Sequence, residues 1–329
     1  MKQRLTVLLI LTGLLAAALI GGCRTAAPPA LRLGYFANLT HAQAVLGVAD
    51  GSFARATGTR VTPRVFAAGP AAITALLAGE VDILYVGPSP AVNGYIRSDG
   101  KALRIVAGAA SGGAVFVVRP GVDPADLAGA RLASPGLGNT QDVALRHLLA
   151  TQGLKTTEKG GPVRLTPMAN ADILNLMKQG QLDGAWVPEP WGARLIREGG
   201  ARIAIDEREL WPDRRFATTV VVVAAPYLAA HGDIVRSFLG AHVALTRWLA
   251  EHPTEAQTRL KVALQKLQGR ALPDPVLSAA LSRVDFVVDP MADSMREQAR
   301  RAYALGLLGG REPDLSGLFA PERLKEVNR

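Results

Sequence analysis
The residues of this 329-residue chain with chemistry to offer are one cysteine, five histidines and a scatter of hydroxyls, amides and carboxylates at the ends of apolar runs. Cys23 closes Leu19-Ile20-Gly21-Gly22-Cys23, after the cations Lys2 and Arg4 and an apolar stretch from Leu5 to Ile20. Cations held on the cytoplasmic side, an apolar run and small residues before a cysteine are the layout of a bacterial lipobox. The chemistry expected of that thiol is diacylation after removal of residues 1–22, which turns a free thiol, otherwise a liability outside the cytoplasm, into a membrane tether. A transmembrane anchor is the competing reading, but Leu5 to Ile20 is slightly short of the roughly 20 residues that a bilayer core needs. The chain is therefore expected in the periplasm or at the cell surface, lipid-anchored, with residues 23–30 as a flexible linker through Ala26-Ala27-Pro28-Pro29.

No catalytic constellation accompanies this signal. His41, His147, His231, His242 and His252 show no His-x-x-x-His spacing, and no second cysteine could join them, so neither a metal site nor a cofactor is expected. Each histidine reads as a surface or half-buried side chain. Ser134-Pro135-Gly136-Leu137-Gly138-Asn139-Thr140 lacks the lysine of a phosphate loop and the third glycine of a dinucleotide fingerprint. It reads better as a general anion cradle, in which Gly136 and Gly138 let the backbone approach a ligand while Asn139 or Thr140 opens a helix with free N–H groups. A plain helix cap is the alternative. Gly34 to His41 offers a similar arrangement, with Asn38 or Thr40 as the opening residue. Further donors stand in Gly87-Pro88-Ser89-Pro90, Ser111-Gly112-Gly113 and Pro188-Glu189-Pro190-Trp191. Ser89 and Ser111 can serve an oxyanion, Trp191 a flat apolar wall and Glu189 an amino group, although a carboxylate beside an anion is repelled unless a base such as Arg194 neutralises it. Turn formation or core packing explains each of these residues singly just as well.

The elements that must position them form an α/β chain. From Leu31 onward short β-branched runs alternate with helical patterns, as in Leu31 to Phe36 before His41 to Arg55, Val61 to Phe66 before Ala71 to Leu77, and Ile83 to Val86 before Pro90 to Arg97. That alternation predicts parallel sheet covered by helices, with ligands outside the carboxyl ends of the strands. Residues 72–88 are echoed by residues 172–188: in each copy a helix ends at glycine, Gly79 or Gly180, and Asp82 or Asp183 precedes a buried strand closed by proline. The echo suggests two similar lobes, unless two common helix-to-strand turns coincide. After Pro226 the pattern is wholly helical, with apolar residues at three and four spacing. The composition, 49% hydrophobic but only 5% aromatic, leaves Ala, Val and Leu to fill the cores. A formal charge of +9, spread out and without basic–aromatic runs, gives little support to nucleic-acid binding and suits a membrane surface or an anionic solute.

Together these segments resemble the solute-binding lipoproteins of ABC importers, in the aliphatic sulfonate, taurine and nitrate group. The resemblance rests on Leu31 to Phe36, Ser111 to Val118, Asp126 to Thr140, Gly180 to Trp191, Asp289 to Met295 and Leu315 to Phe319, and covers nearly the whole mature chain. It implies a type II periplasmic-binding fold: two doubly wound α/β lobes joined by two crossings, lobe one from residues 31–112 and 218–329, lobe two from 113–217, with the C-terminal helices packed on lobe one. It implies ligand contacts near Tyr35, Asn38, Thr40, Ser89, Ser111, Gly112, Asn139, Thr140, Glu189 and Trp191, with Thr218 and Thr219 as hinge or cleft residues. It further implies a monomer that binds a small anionic solute without turning it over, and that docks on a permease driven by an ATPase. No arginine stands among the matched loop positions, so anion binding would lean on neutral donors and helix termini. Nitrate, bicarbonate, a pyrimidine precursor or an aromatic sulfonate are alternative solutes. A sensor subunit and an enzyme of thiamine-pyrimidine or menaquinone synthesis are alternative roles for a related fold.

Overall fold
The alternating apolar and helical patterns become strands and helices in the computed structural model, which describes residues 30–310 and 312–327; Cys23 and the expected leader lie outside the described residues. β1 (Leu31–Phe36) leads through α1 (Ala42–Ala49) and α2 (Ser52–Thr57) to β2 (Val61–Phe66), followed by α3 (Gly69–Leu77), β3 (Ile83–Val86) and α4 (Pro88–Arg97). Two strands then run almost end to end, β4 (Leu103–Gly112) and β5 (Ala114–Val118). The strand–helix rhythm resumes as β6 (Arg131–Ser134), α5 (Thr140–Thr151), β7 (Arg164–Pro167), α6 (Asn170–Lys178), β8 (Gly184–Pro188), α7 (Trp191–Gly199) and β9 (Arg202–Asp206). β10 (Ala217–Ala224) precedes α8 (Ala225–Ala230), α9 (Gly232–Glu251), α10 (Pro253–Gln268), α11 (Asp274–Leu281), β11 (Val284–Phe286), α12 (Ala292–Ala304) and α13 (Pro321–Lys325). β11 corrects the expectation of a wholly helical tail. It pairs antiparallel with β4, from Val284↔Gly112 to Phe286↔Ala110, and so satisfies backbone groups along an edge that would otherwise be unpaired.

Six strands form one sheet in the order β11-β4-β10-β3-β1-β2, and five form a second in the order β7-β6-β8-β5-β9. The run β2-β1-β3-β10-β4 has the same plan as β7-β6-β8-β5-β9: three parallel strands, then two antiparallel pairings. The sequence echo lies at matching places in this plan, where α3 feeds β3 and α6 feeds β8. Gly79 and Gly180 take φ of +70° and +69°, a left-handed conformation that glycine adopts without Cβ strain and that ends each helix. Each aspartate beyond them is held by an arginine of the adjacent strand. Arg32 donates to Asp82 from its backbone N (2.8 Å) and Nε (2.9 Å), and Arg131 donates to Asp183 from N (2.8 Å) and Nε (3.0 Å). The same guanidinium also reaches the glycine carbonyl, Gly79 O for Arg32 and Gly180 O for Arg131.

Side chains alternate across a strand, so a strand buried on both faces feeds two cores. On β5, Phe116 and Val118 join Trp186 and Leu145 on one face of the second sheet, while Val115 and Val117 join Ile173 and Leu195 on the other. The first sheet is covered by helices that include the C-terminal set, whose Phe238, Leu260, Leu264 and Leu277 are fully buried in its core.

Candidate functional site
The carboxyl ends of the parallel strands meet at a small cavity of about 30 Å³. Phe36 ends β1, Gly87 follows β3, Pro135 follows β6, Asn170 follows β7 and Pro188 ends β8, and all five border it. This is where an open α/β sheet binds ligands, since helix N-termini with unpaired N–H groups begin there. Of the expected contacts, Asn38, Thr40, Asn139, Thr140 and Thr218 border the cavity, as does Thr219. Tyr35, Ser89, Ser111, Gly112, Glu189 and Trp191 do not.

The bordering side chains hold the two sheet-centred halves together from opposite sides. Asn139 stands at the N-cap of α5, yet its side chain makes no bond to its own helix. Its Oδ1 instead accepts from the N–H of Gly69, the first residue of α3, at 3.1 Å. Thr140 Oγ1 accepts from the N–H of Ser89 in the first turn of α4 at 3.4 Å. Asn38 Oδ1 accepts from Trp191 Nε1 at 3.1 Å, and the Leu39 N–H donates to Glu189 O at 3.2 Å. In place of the plain helix cap, the alternative reading of Asn139 and Thr140, their side chains bond to the first-turn amides of α3 and α4. Thr218 donates its hydroxyl to Gly112 O, tying one crossing to the other.

Most of the residues that do not border the cavity are engaged elsewhere. Glu189 is fully buried, with Oε1 accepting from Arg283 at 2.7 Å and Oε2 from the Ala193 N–H at 3.0 Å. Burial raises its pKa and those two donors oppose the rise. Glu189, the residue expected to receive an amino group, does not border the cavity, and the base beside it is Arg283 rather than Arg194, which binds Glu198 at 2.8 Å. Trp191 packs, partly buried, against the second sheet's core beneath the Arg194 guanidinium, 4.5 Å from the ring centroid. Tyr35 is buried in the first core, and Ser111 Oγ accepts from Phe216 N–H at 3.3 Å. Ser89 Oγ is buried with no hydrogen-bond partner among the described residues, and so is Oδ1 of Asn170 at the cavity border. Buried polar atoms of this kind ordinarily have a partner, so a ligand or water oxygen or donor would suit them.

Among the described residues no aspartate, glutamate, lysine or arginine borders the cavity, and the ordinarily titratable residue there is His41. Burial pushes the His41 pKa down to about 3, so the ring is neutral at physiological pH. The arrangement can therefore recognise an anionic group through neutral donors and helix N-termini. Among the described residues, no cluster of three or more His, Cys, Asp or Glu side chains could hold a metal ion. Sequence reasoning passed over His41, Phe36, Gln141 and Asn170. The signal for His41 was its place in the Gly34 to His41 strand-to-helix segment; the signal for Asn170 was a third such junction, after β7.

A sequence model of the NMT1-like family matches residues 24–264. The taurine-binding periplasmic protein of Escherichia coli (strain K12) is 26% identical over 191 residues, 58% of this chain and 58% of that protein, so the match spans under two thirds of that relative's length. A second protein of the same strain, to which aliphatic sulfonate binding is attributed, is 26% identical over 284 residues, 83% of this chain and 82% of its own. Among solved structures, the alkanesulfonate-binding protein SsuA from Xanthomonas axonopodis pv. citri, bound to MOPS, has the same fold, with a TM-score of 0.72 at 23% identity over 87% of this chain and 96% of that one.

Proposed function
Because this chain belongs to the NMT1-like family, we propose that it is the solute-binding subunit of an ABC importer, exported and held at the membrane by a lipid on Cys23. It captures a small anionic solute, an aliphatic sulfonate or a taurine-like compound, between two lobes. Lobe one comprises residues 31–112 and 218–329, and lobe two residues 113–217. The observation that carries this reading is the convergence of strand ends from two sheets of one plan on a cavity bordered by neutral donors. Closure is a population shift: only the closed form lets Asn38 and Thr40 act on the solute together with Asn139 and Thr140. Binding without turnover is the activity. The closed monomer then docks on a permease whose ATPase supplies the energy.

The size of the cavity favours a second reading. A volume of about 30 Å³ suits a planar anion such as nitrate or bicarbonate better than an alkanesulfonate unless the lobes stand further apart. A thermal-shift screen against ethanesulfonate, taurine, nitrate, bicarbonate, sulfate and pyrimidines separates the two, because a ligand that binds only the folded state raises Tm by mass action. A selective rise with sulfonates supports the first reading and one with nitrate or bicarbonate the second. Chemical conversion of any hit would overturn both.

A further inference from the structure
His41 stands between β1 and α1, 2% exposed, with its ring at the cavity border. Its Nδ1 lies 3.3 Å from the backbone N of Phe36, which donates to it. On a neutral ring that acceptor role places the proton on Nε2. The Phe36 and Tyr85 rings, with centroids 4.6 and 6.4 Å from that of His41, confine the imidazole plane. Nε2 has no hydrogen-bond partner among the described residues. His242 provides the contrast. It is equally buried, but both its nitrogens are paired, Nδ1 with Tyr85 OH and Nε2 with Gly108 O, each at 2.8 Å. His242 is a satisfied core histidine, whereas the hydrogen bond of the His41 ring among the described residues is the one at Nδ1, which leaves Nε2–H for the cavity.

We propose that His41 is a ligand-contacting, specificity-determining residue of the cleft, its Nε2–H donating to an oxygen of the solute's anionic group. This rests on the solute-binding reading above. A neutral, fixed donor stabilises an oxyanion without bringing a counter-charge, and hydrogen bonds to a charged acceptor are the stronger kind. Among the described residues the same border offers no carboxylate to an ammonium group, and Glu189 lies off the border, paired with Arg283. The cleft therefore ranks a simple anion above a zwitterion of the same size, and ethanesulfonate above taurine.

The test is isothermal titration calorimetry of the full chain in detergent with ethanesulfonate, taurine, nitrate and bicarbonate. In His41→Asn the amide oxygen can replace Nδ1 as the acceptor for Phe36, but the donor at the Nε2 position is lost. In His41→Gln the amide nitrogen can reach the Nε2 position. His41→Asn should bind the best anion of this panel roughly 10- to 100-fold more weakly with little change in Tm, while His41→Gln retains most of the affinity. Should His41→Asn fail to fold, His41→Phe, which keeps the ring stack and lacks the donor, must show the same loss. Unchanged affinity in the folded donor-less variant overturns the role of His41, and tighter binding of taurine than ethanesulfonate overturns the ranking. If the unaltered protein binds none of the four, the solute-binding reading itself fails for these anions and the inference falls with it.

Discussion

Glu207, 2% exposed, receives a hydrogen bond from Trp186 Nε1 at 2.7 Å on its Oε2. Burial pushes its pKa up from the ordinary 4.5 to about 7, against the pull of that N–H and of Arg301, while Asp206 adds to the rise. A carboxyl whose pKa is raised by folding contributes stability below its unfolded value and loses it as pH rises through the folded one. Denaturation midpoints should therefore fall between about pH 4.5 and 7, and Glu207→Gln should flatten that slope by up to roughly 3 kcal/mol over the range. Equal slopes in both proteins would exclude Glu207 as the source. Arg283 meets a different buried carboxylate. Arg283→Ala leaves the buried Glu189 with the Ala193 N–H but without its counter-charge and should destabilise the fold by about 3–5 kcal/mol in urea denaturation. Glu189→Gln should weaken taurine and ethanesulfonate alike, and selective loss of taurine would return Glu189 to the ligand. At the amino end, Cys23→Ser should release the protein from membrane to soluble fractions, and retention would remove the lipid from the account.

Among the elements, two matching clasps join a helix end to the neighbouring strand. Arg32 on β1 holds Asp82 at the start of β3, and Arg131 on β6 holds Asp183 at the start of β8, with Arg119 adding a further donor at 2.5 Å. The Arg131 guanidinium keeps the Asp183 carboxyl well below the usual carboxylate range. That stability is present above the ordinary pKa of 3.8 and is lost as pH falls below it. Asp82→Asn and Asp183→Asn should each cost about 1–3 kcal/mol, because the backbone and Nε donors lose a charged acceptor. A silent substitution at either site, read by thermal unfolding, would reduce that clasp to surface decoration. Matching losses would fit two half-folds of common plan.

For the molecule as a whole, the closure proposed above requires α4 and α5 to approach closely. Gly87 has an ordinary extended backbone, φ −67° and ψ 154°, so alanine fits its own junction, yet a Cβ there would sit 2.5 Å from Thr140 Oγ1 across the cleft. Gly87→Ala should therefore leave the Tm of the unliganded protein nearly unchanged and weaken solute binding by roughly tenfold or more, with a larger radius of gyration by small-angle scattering at saturating solute. Wild-type affinity in this variant would mean that the two halves hold the solute at a greater separation.

Local chemistry determined the α/β alternation, the glycine-ended helices and the clasp aspartates, because helix period, strand period and turn residues act within a few positions of one another. It also marked Asn38, Thr40, Asn139 and Thr140, since polar residues at strand ends fall on the ligand side of such a sheet, whereas Thr218 came only from the family resemblance. Tertiary structure alone decided that Glu189 meets Arg283, 94 residues away, and that β11 interrupts the helical tail to pair with β4. It also decided that His41 and His242, alike in the sequence, differ in having a free or a bound nitrogen. Long-range packing sets which polar atoms are desolvated and which find a partner, and no local pattern carries that information.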